Sequence, residues 1–174
     1  MGKAPRTSPE PVAQIKERRD AALAALIAQV PMIAFMGIRF DRRGDELTAV
    51  LPFADKLIGN PALPALHGGA TATFLETAAI IELSFQMIWA DVESGALAPA
   101  GMSMQGLPAL PKTIDFTVDY LRPGLPRDAY ARARVNRSGR RYASVHVEAW
   151  QDHRDRLFAQ ATAHFLLPPQ NAAE

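Results

Sequence analysis

Cysteine is absent from all 174 residues, which excludes disulfides, thiolate nucleophiles and cysteine-based zinc sites. The four histidines, His67, His146, His153 and His164, show neither HxxxH nor HxH spacing, so the usual histidine pattern for a metal is missing as well. Neither sign of charge dominates. With 19 basic and 18 acidic side chains the net charge is +1, leaving no broad electrostatic case for nucleic acid or an anionic membrane. Long hydrophobic runs are also lacking: the N-terminus has no apolar leader core, and the most apolar run, around residues 78–90, contains Glu82 and is too short and polar to span a bilayer. The expectation is a protein of the cytoplasm with no metal, no nucleic acid and no membrane among its partners. One domain fits the length, and 48% hydrophobic with 21% charged residues is ordinary for a globular chain.

What is present centres on Leu66 to Ile81, which opens on His67-Gly68-Gly69 and runs into an apolar segment reaching about Ala90. That length predicts a helix of several turns, and a helix apolar on most sides is a buried one. Its first half is interrupted only by Glu76. An unpartnered charge taken out of water costs several kcal/mol, so Glu76 must be paired, neutralised or functional. Gly68 and Gly69 have no side chains to block approach. Backbone N–H groups at such a helix start, with the positive end of the helix dipole behind them, form an anion cradle or an oxyanion hole. At 1.5 Å rise per residue the glycines and the carboxylate lie about 12 Å apart along the axis, so one small reacting group cannot touch both. If the two act together, they come from two copies of the helix lying antiparallel about a twofold axis, as in a dimer.

Along the chain, residues 1–10 read as a disordered tail, 11–167 as one domain and 168–174 as a second tail. Residues 11–30 read as an amphipathic helix with Pro11 in its first turn and Pro31 at its end. Phe35–Phe40 and Glu46–Leu51 read as strands joined at Arg42-Arg43-Gly44-Asp45. A loop from Pro52 to Pro64 follows, and its Asn60 amide is a candidate for holding a carbonyl or a water near the glycines, although turn formation is the commoner job of such a residue. Residues 91–108 read as a long loop carrying Met102 and Met104, expected in core or acyl pocket. Four antiparallel strands close the chain: 113–121, 129–136, 142–151 and 156–166. In the first of these, alternation puts Ile114, Phe116, Val118 and Tyr120 on one face. Glu82 and Gln86 are expected to emerge at the end of the helix. A sheet curled around one apolar helix, with an extra N-terminal helix, accommodates this order in an α+β fold.

Three stretches then resemble the hotdog-fold acyl-CoA thioesterases, in particular the phenylacetic-acid-degradation (PaaI-like) branch. They are His67-Gly68-Gly69 followed by Glu76, the strand Thr113 to Pro123, and the basic hairpin Arg137-Ser138-Gly139-Arg140-Arg141. The resemblance covers about Phe35 to Leu166. It implies a hotdog fold and hydrolysis of a small or medium acyl or aryl thioester of coenzyme A, which enters as substrate, with no separate cofactor. By that analogy Gly68, with Gly69 beside it, polarises the carbonyl, and Glu76 of a partner subunit attacks it or activates water. Thr113 sits where the family often places a hydroxyl that helps hold the water. The family has Asn or Gln six residues before the histidine, where this chain has Pro61, so Asn60 needs a one-residue shift to serve. His67 is carried among the catalytic candidates, although a histidine just before a helix more often supports the turn. Arg137, Arg140 and Arg141, with Ser138 and Gly139 between them, suit the coenzyme A phosphates. A homodimer, or a dimer of dimers, is the implied assembly. Two alternatives stand beside this reading: an enoyl-thioester hydratase or dehydratase on a similar fold, and a non-catalytic acyl-CoA-binding protein.

Overall fold

The computed structural model describes residues 10–97 and 107–169. Helix α1 (Val12–Ala28) is followed at once by a short helix α2 (Pro31–Met36), then by strands β1 (Arg39–Arg43) and β2 (Glu46–Leu51). Pro31 thus does two things: it closes α1 and stands in the first turn of α2, where its missing N–H costs nothing. The expected strand from Phe35 is corrected here. Phe35 is helical, α2 stops at Gly37 in the left-handed region (φ 73°), and the strand begins only at Arg39. A two-residue turn at Gly44-Asp45 joins β1 to β2, with Gly44 at φ 66° supplying the positive angle that such hairpins need.

The expected loop 52–64 contains a 3₁₀ turn and a small ribbon, β3 (Ile58–Asn60) paired with β4 (Ala65–Leu66). Helix α3 (Gly68–Ser94) follows, one turn longer than its apolar run, and ends at Gly95 (φ 75°). The loop expected over 91–108 therefore begins later than its composition suggests, and Met102 and Met104 lie outside the described residues. Four strands complete the fold: β5 (Lys112–Tyr120), β6 (Ala129–Ser138), β7 (Tyr142–Trp150) and β8 (Ala159–Leu166).

The six long strands form one antiparallel sheet in the order β1-β2-β6-β7-β8-β5, wrapped around α3 in the hotdog arrangement. Its inner face is alanine-rich: Ala129, Ala131, Ala143, Ala149, Ala159, Ala161 and Ala163 are buried, with Val145, Val147 and Phe165 among them. Small side chains on the sheet let the helix sit close, and α3 fills the trough with Phe74, Leu75, Ile81 and Phe85, all 2% exposed or less. Each such side chain stabilises the fold by about 1.5–3 kcal/mol relative to exposure. On its other side α3 is covered by α1, where buried Arg18 donates to the Val92 and Glu93 carbonyls at the end of α3 and Arg19 pairs with Glu93. Those carbonyls have no partner within the helix, so Arg18 acts as its C-terminal cap. No helix among the described residues is long and apolar enough to cross a membrane.

Candidate active site

The start of α3 is built by its neighbours in the chain. His67 is the N-cap residue, extended in backbone, and its Nδ1 accepts the Gly69 N–H at 2.9 Å. Its own N–H donates to the Leu57 carbonyl at 2.7 Å, which ties the helix start to the 3₁₀ turn. The histidine thus supports the turn, as its position suggested. The two glycines are consequently unlike each other: Gly69 spends its N–H on His67, whereas the Gly68 N–H meets no acceptor among the described residues. Behind Gly68, the Tyr120 hydroxyl donates to its carbonyl at 2.8 Å, fixing the peptide plane.

Glu76 is half-buried on α3, and the Thr113 hydroxyl donates to its Oε1 at 2.7 Å. Oε2 has no hydrogen-bond partner among the described residues. A bulge in β5 makes this contact possible. The register with β8 slips between Thr113 and Asp115, so Thr113 joins the inward set with half-buried Phe116 and Val118 while Ile114 is 54% exposed. The strict alternation expected for this strand, with Ile114 beside Phe116, is corrected by that extra residue.

Asn60 is engaged elsewhere. Its Oδ1 accepts the N–H groups of Ala62 (3.0 Å) and Leu63 (3.4 Å), an Asx turn on an exposed loop. Glu82 also departs from expectation: it is 8% exposed, more deeply buried than Glu76, and holds the Gln86 amide at 2.6 Å while Gln86 itself is exposed. Burial pushes the Glu82 carboxyl above its usual range, a shift that the Gln86 hydrogen bond opposes.

Gly69, Thr73, Glu76, Ile80 and Met87 follow at intervals of four, three, four and seven, which places them on one stripe of α3. None of the five is fully buried. At the Gly69 end the stripe runs into a cavity of about 460 Å³ beneath α2. At the Met87 end it meets a larger one, about 790 Å³, bordered by Ser138, Gly139 and Arg140 of the β6–β7 hairpin. In that hairpin Arg137, Arg140 and Arg141 are exposed and make no ion pair among the described residues, while the Gly139 N–H closes the turn onto the Tyr142 carbonyl at 2.8 Å. Within the described residues no group of three or more acidic or histidine side chains is placed to hold a metal ion.

Sequence reasoning singled out Glu76, Gly68, His67 and Thr113, and the structure brings Glu76 to Thr113 and His67 to Gly69. It missed the clasp of Tyr120 on Gly68, because nothing in a strand's alternation tells which residue will reach a helix start. It also missed Gly59. A Cβ there would lie 2.7 Å from the His67 Cα, so only glycine lets β3 pass the N-cap this closely.

Comparison with known proteins adds a family. The model described as the thioesterase superfamily matches residues 63–158. A medium/long-chain acyl-CoA thioesterase YigI from Salmonella typhimurium is 29% identical over 145 residues, covering 81% of this chain and 88% of that protein. The PaaI protein of the phenylacetic acid degradation operon of E. coli superposes with a TM-score of 0.66 at 14% identity, over 88% of this chain and 95% of that one. A Bacillus halodurans protein solved with CoA gives 0.59 at 22% identity, over 95% and 99%. The two structural likenesses bear on the fold.

Proposed function

This chain belongs to the thioesterase superfamily, and from that premise we propose that it is an acyl-CoA thioesterase whose site is shared between two subunits of a homodimer. The observation that carries the reading is the division of labour along α3: an unengaged Gly68 N–H at the helix start, and a carboxylate with one free oxygen two turns on. The roughly 12 Å between them along the axis requires two copies for one reaction.

Strand β5 offers the means. It pairs with β8 on one side only, so its other edge is open, and it carries exposed Ile114 and Tyr120. An open, apolar nine-residue edge is a template for another strand. Twofold antiparallel pairing centred between Phe116 and Thr117 sets Thr113 of one copy opposite Tyr120 of the other. Thr113 marks the Glu76 end and Tyr120 the Gly68 end, so this pairing carries each acid toward the other copy's helix start.

In the reaction, Glu76 takes a proton from water as the water oxygen bonds to the thioester carbon. The negative charge that develops on the carbonyl oxygen is met by the Gly68 N–H, a preorganised donor worth about 3–4 kcal/mol of barrier. Collapse breaks the C–S bond, the proton passes from Glu76 to sulfur, and free acid and coenzyme A leave. Thr113 holds the carboxylate through Oε1 and leaves Oε2 to the water. Arg137, Arg140 and Arg141, free of ion pairs among the described residues, suit the phosphates of coenzyme A, as in the family resemblance. The coenzyme A bound to the Bacillus halodurans protein and the name of the Salmonella relative support the same substrate class.

The test is release of free thiol from a panel of acyl-CoA esters by the purified protein and by Glu76→Ala. The variant is expected to fold, dimerise and lose between a hundredfold and ten-thousandfold in kcat, roughly the range for a removed general base. Turnover near that of the unaltered protein removes Glu76 from the chemistry. Tight binding with no turnover on any ester by either protein turns the reading into a binding protein.

A further inference from the structure

We infer that the cleft between α2 and the first turns of α3 receives a linear aliphatic acyl chain, and that Phe35, Met32 and Ala70 grade substrates by its length. The inference rests on the thioesterase reading for the position of the carbonyl, but the cleft stands on its own geometry. Its volume of about 460 Å³ lies in the range of small-molecule pockets, roughly 300–1,000 Å³. It opens at Gly69 and Thr73, on the stripe that holds Glu76 and beside the free Gly68 N–H, so a carbonyl held at Gly68 directs its chain into it.

The lining decides what enters. Met32, Phe35, Met36, Leu57 and Ala70 supply the walls, and the polar groups among them are already engaged. Lys56 Nζ donates to the Phe35 carbonyl at 2.7 Å, the Thr73 hydroxyl to the Gly69 carbonyl at 2.9 Å, and His67 Nδ1 accepts from Gly69. A pantetheine arm, with its two amides, would find few free partners here, whereas methylenes need none. Two methionines give a wall that adapts to a flexible chain. The cleft is also open at its far end, where Met32 is 46% and Phe35 69% exposed, so a longer chain continues over apolar surface. Phe35 is held there by Lys56, whose ammonium sits 4.9 Å from the ring centroid.

S-alkyl-CoA thioethers, which cannot be hydrolysed, measure the cleft independently of catalysis. Ethyl, butyl, octyl and dodecyl thioethers titrated calorimetrically into the wild-type dimer should bind about tenfold tighter for every two methylenes accommodated. Ala70→Leu, which fills the entrance, and Phe35→Ala, which removes the outer rim, should each weaken binding by a factor that grows with chain length, exceeding tenfold for the dodecyl thioether in Ala70→Leu. Because Phe35 is on the surface, its variant keeps the test decisive if Ala70→Leu fails to fold. Equal loss at every length, no loss in either variant, or tighter binding of a benzyl than of an octyl thioether overturns the assignment. Chain-length-dependent thioether binding without any thiol release from esters would refute the hydrolase reading and leave the cleft in place.

Discussion

Glu76 and Glu82 lie six residues apart on one helix, and in a sequence both look like acids stranded in an apolar run. Six steps of about 100° put them roughly 120° apart around the axis, and that angle gives them different lives. Glu76 points to Thr113 and a half-open stripe, whereas Glu82 faces the gap where β2 leaves β6, below Asp45, Arg134, His146 and Arg154, and is nearly closed off. Composition announced that an acid needed explaining, but the phase of the helix against a curved sheet decided which one was buried. Two predictions belong at this scale. Thr113→Val should lower kcat by about tenfold to a hundredfold, equivalent to roughly 1.5–3 kcal/mol for a hydrogen bond to a charged group, with Thr113→Ser restoring most of it and KM little changed. For Glu82, burial raises the folded-state pKa above the usual 4.5, so the native state holds its proton longer than the unfolded chain. The stability linked to that proton is complete below about 4.5 and is lost as pH rises through the higher folded value. Glu82→Gln, which cannot ionise, should therefore melt higher than the wild type at pH 8, with the gap closing toward pH 4. A gap that is constant with pH would mean that the carboxyl is not desolvated.

At the scale of elements, α3, β2 and the last four strands were legible because their periodicities are long and clean. The short pieces were not. Phe35-Met36 has strand-like content, yet Pro31 at a helix's first turn and Gly37 in the left-handed region frame six residues as helix, and the cleft wall depends on it. The bulge in β5 left no mark that periodicity can detect, and it is what turns Thr113 toward Glu76. The ribbon β3–β4 looked like loop because Pro61 and Pro64 dominate its composition, but its Gly59 is the spacer that lets His67 cap the helix. A methyl group at Gly59 would collide with backbone atoms, which cannot swing away. Gly59→Ala should cost about 1–3 kcal/mol, the usual range for overpacking, and lower Tm by several degrees. It should also depress thiol release more than the lost stability explains, since the N-cap and the Gly68 N–H shift together; unchanged kinetics at a temperature where the variant is fully folded would separate the ribbon from the site.

At the scale of the whole molecule, a single subunit supplies both reacting groups in positions where they cannot meet, and its sheet ends on an open apolar strand. These two facts account for each other if the strand is where copies join. Ile114 is 54% exposed, so Ile114→Lys places a charge on that edge at little cost to the subunit's own core. Sedimentation should find it monomeric, folded and without thiol release. Complementation tests the sharing directly. A Cβ on Gly68 would rest 3.4 Å from the Tyr120 ring, so a larger side chain such as valine must crowd the space before the N–H, and Gly68→Val should be inactive for that reason. Glu76→Ala is inactive for the other. In a heterodimer of the two, one site is doubly damaged and the second has an intact glycine from one subunit and an intact glutamate from its partner. Random exchange makes about half of all dimers mixed, so recovered activity should approach one quarter of the wild-type level per subunit. If exchange is verified by mass labelling and the mixture stays silent, each subunit must assemble its site from its own residues, and the 12 Å along the helix would have to be closed by a movement of the chain.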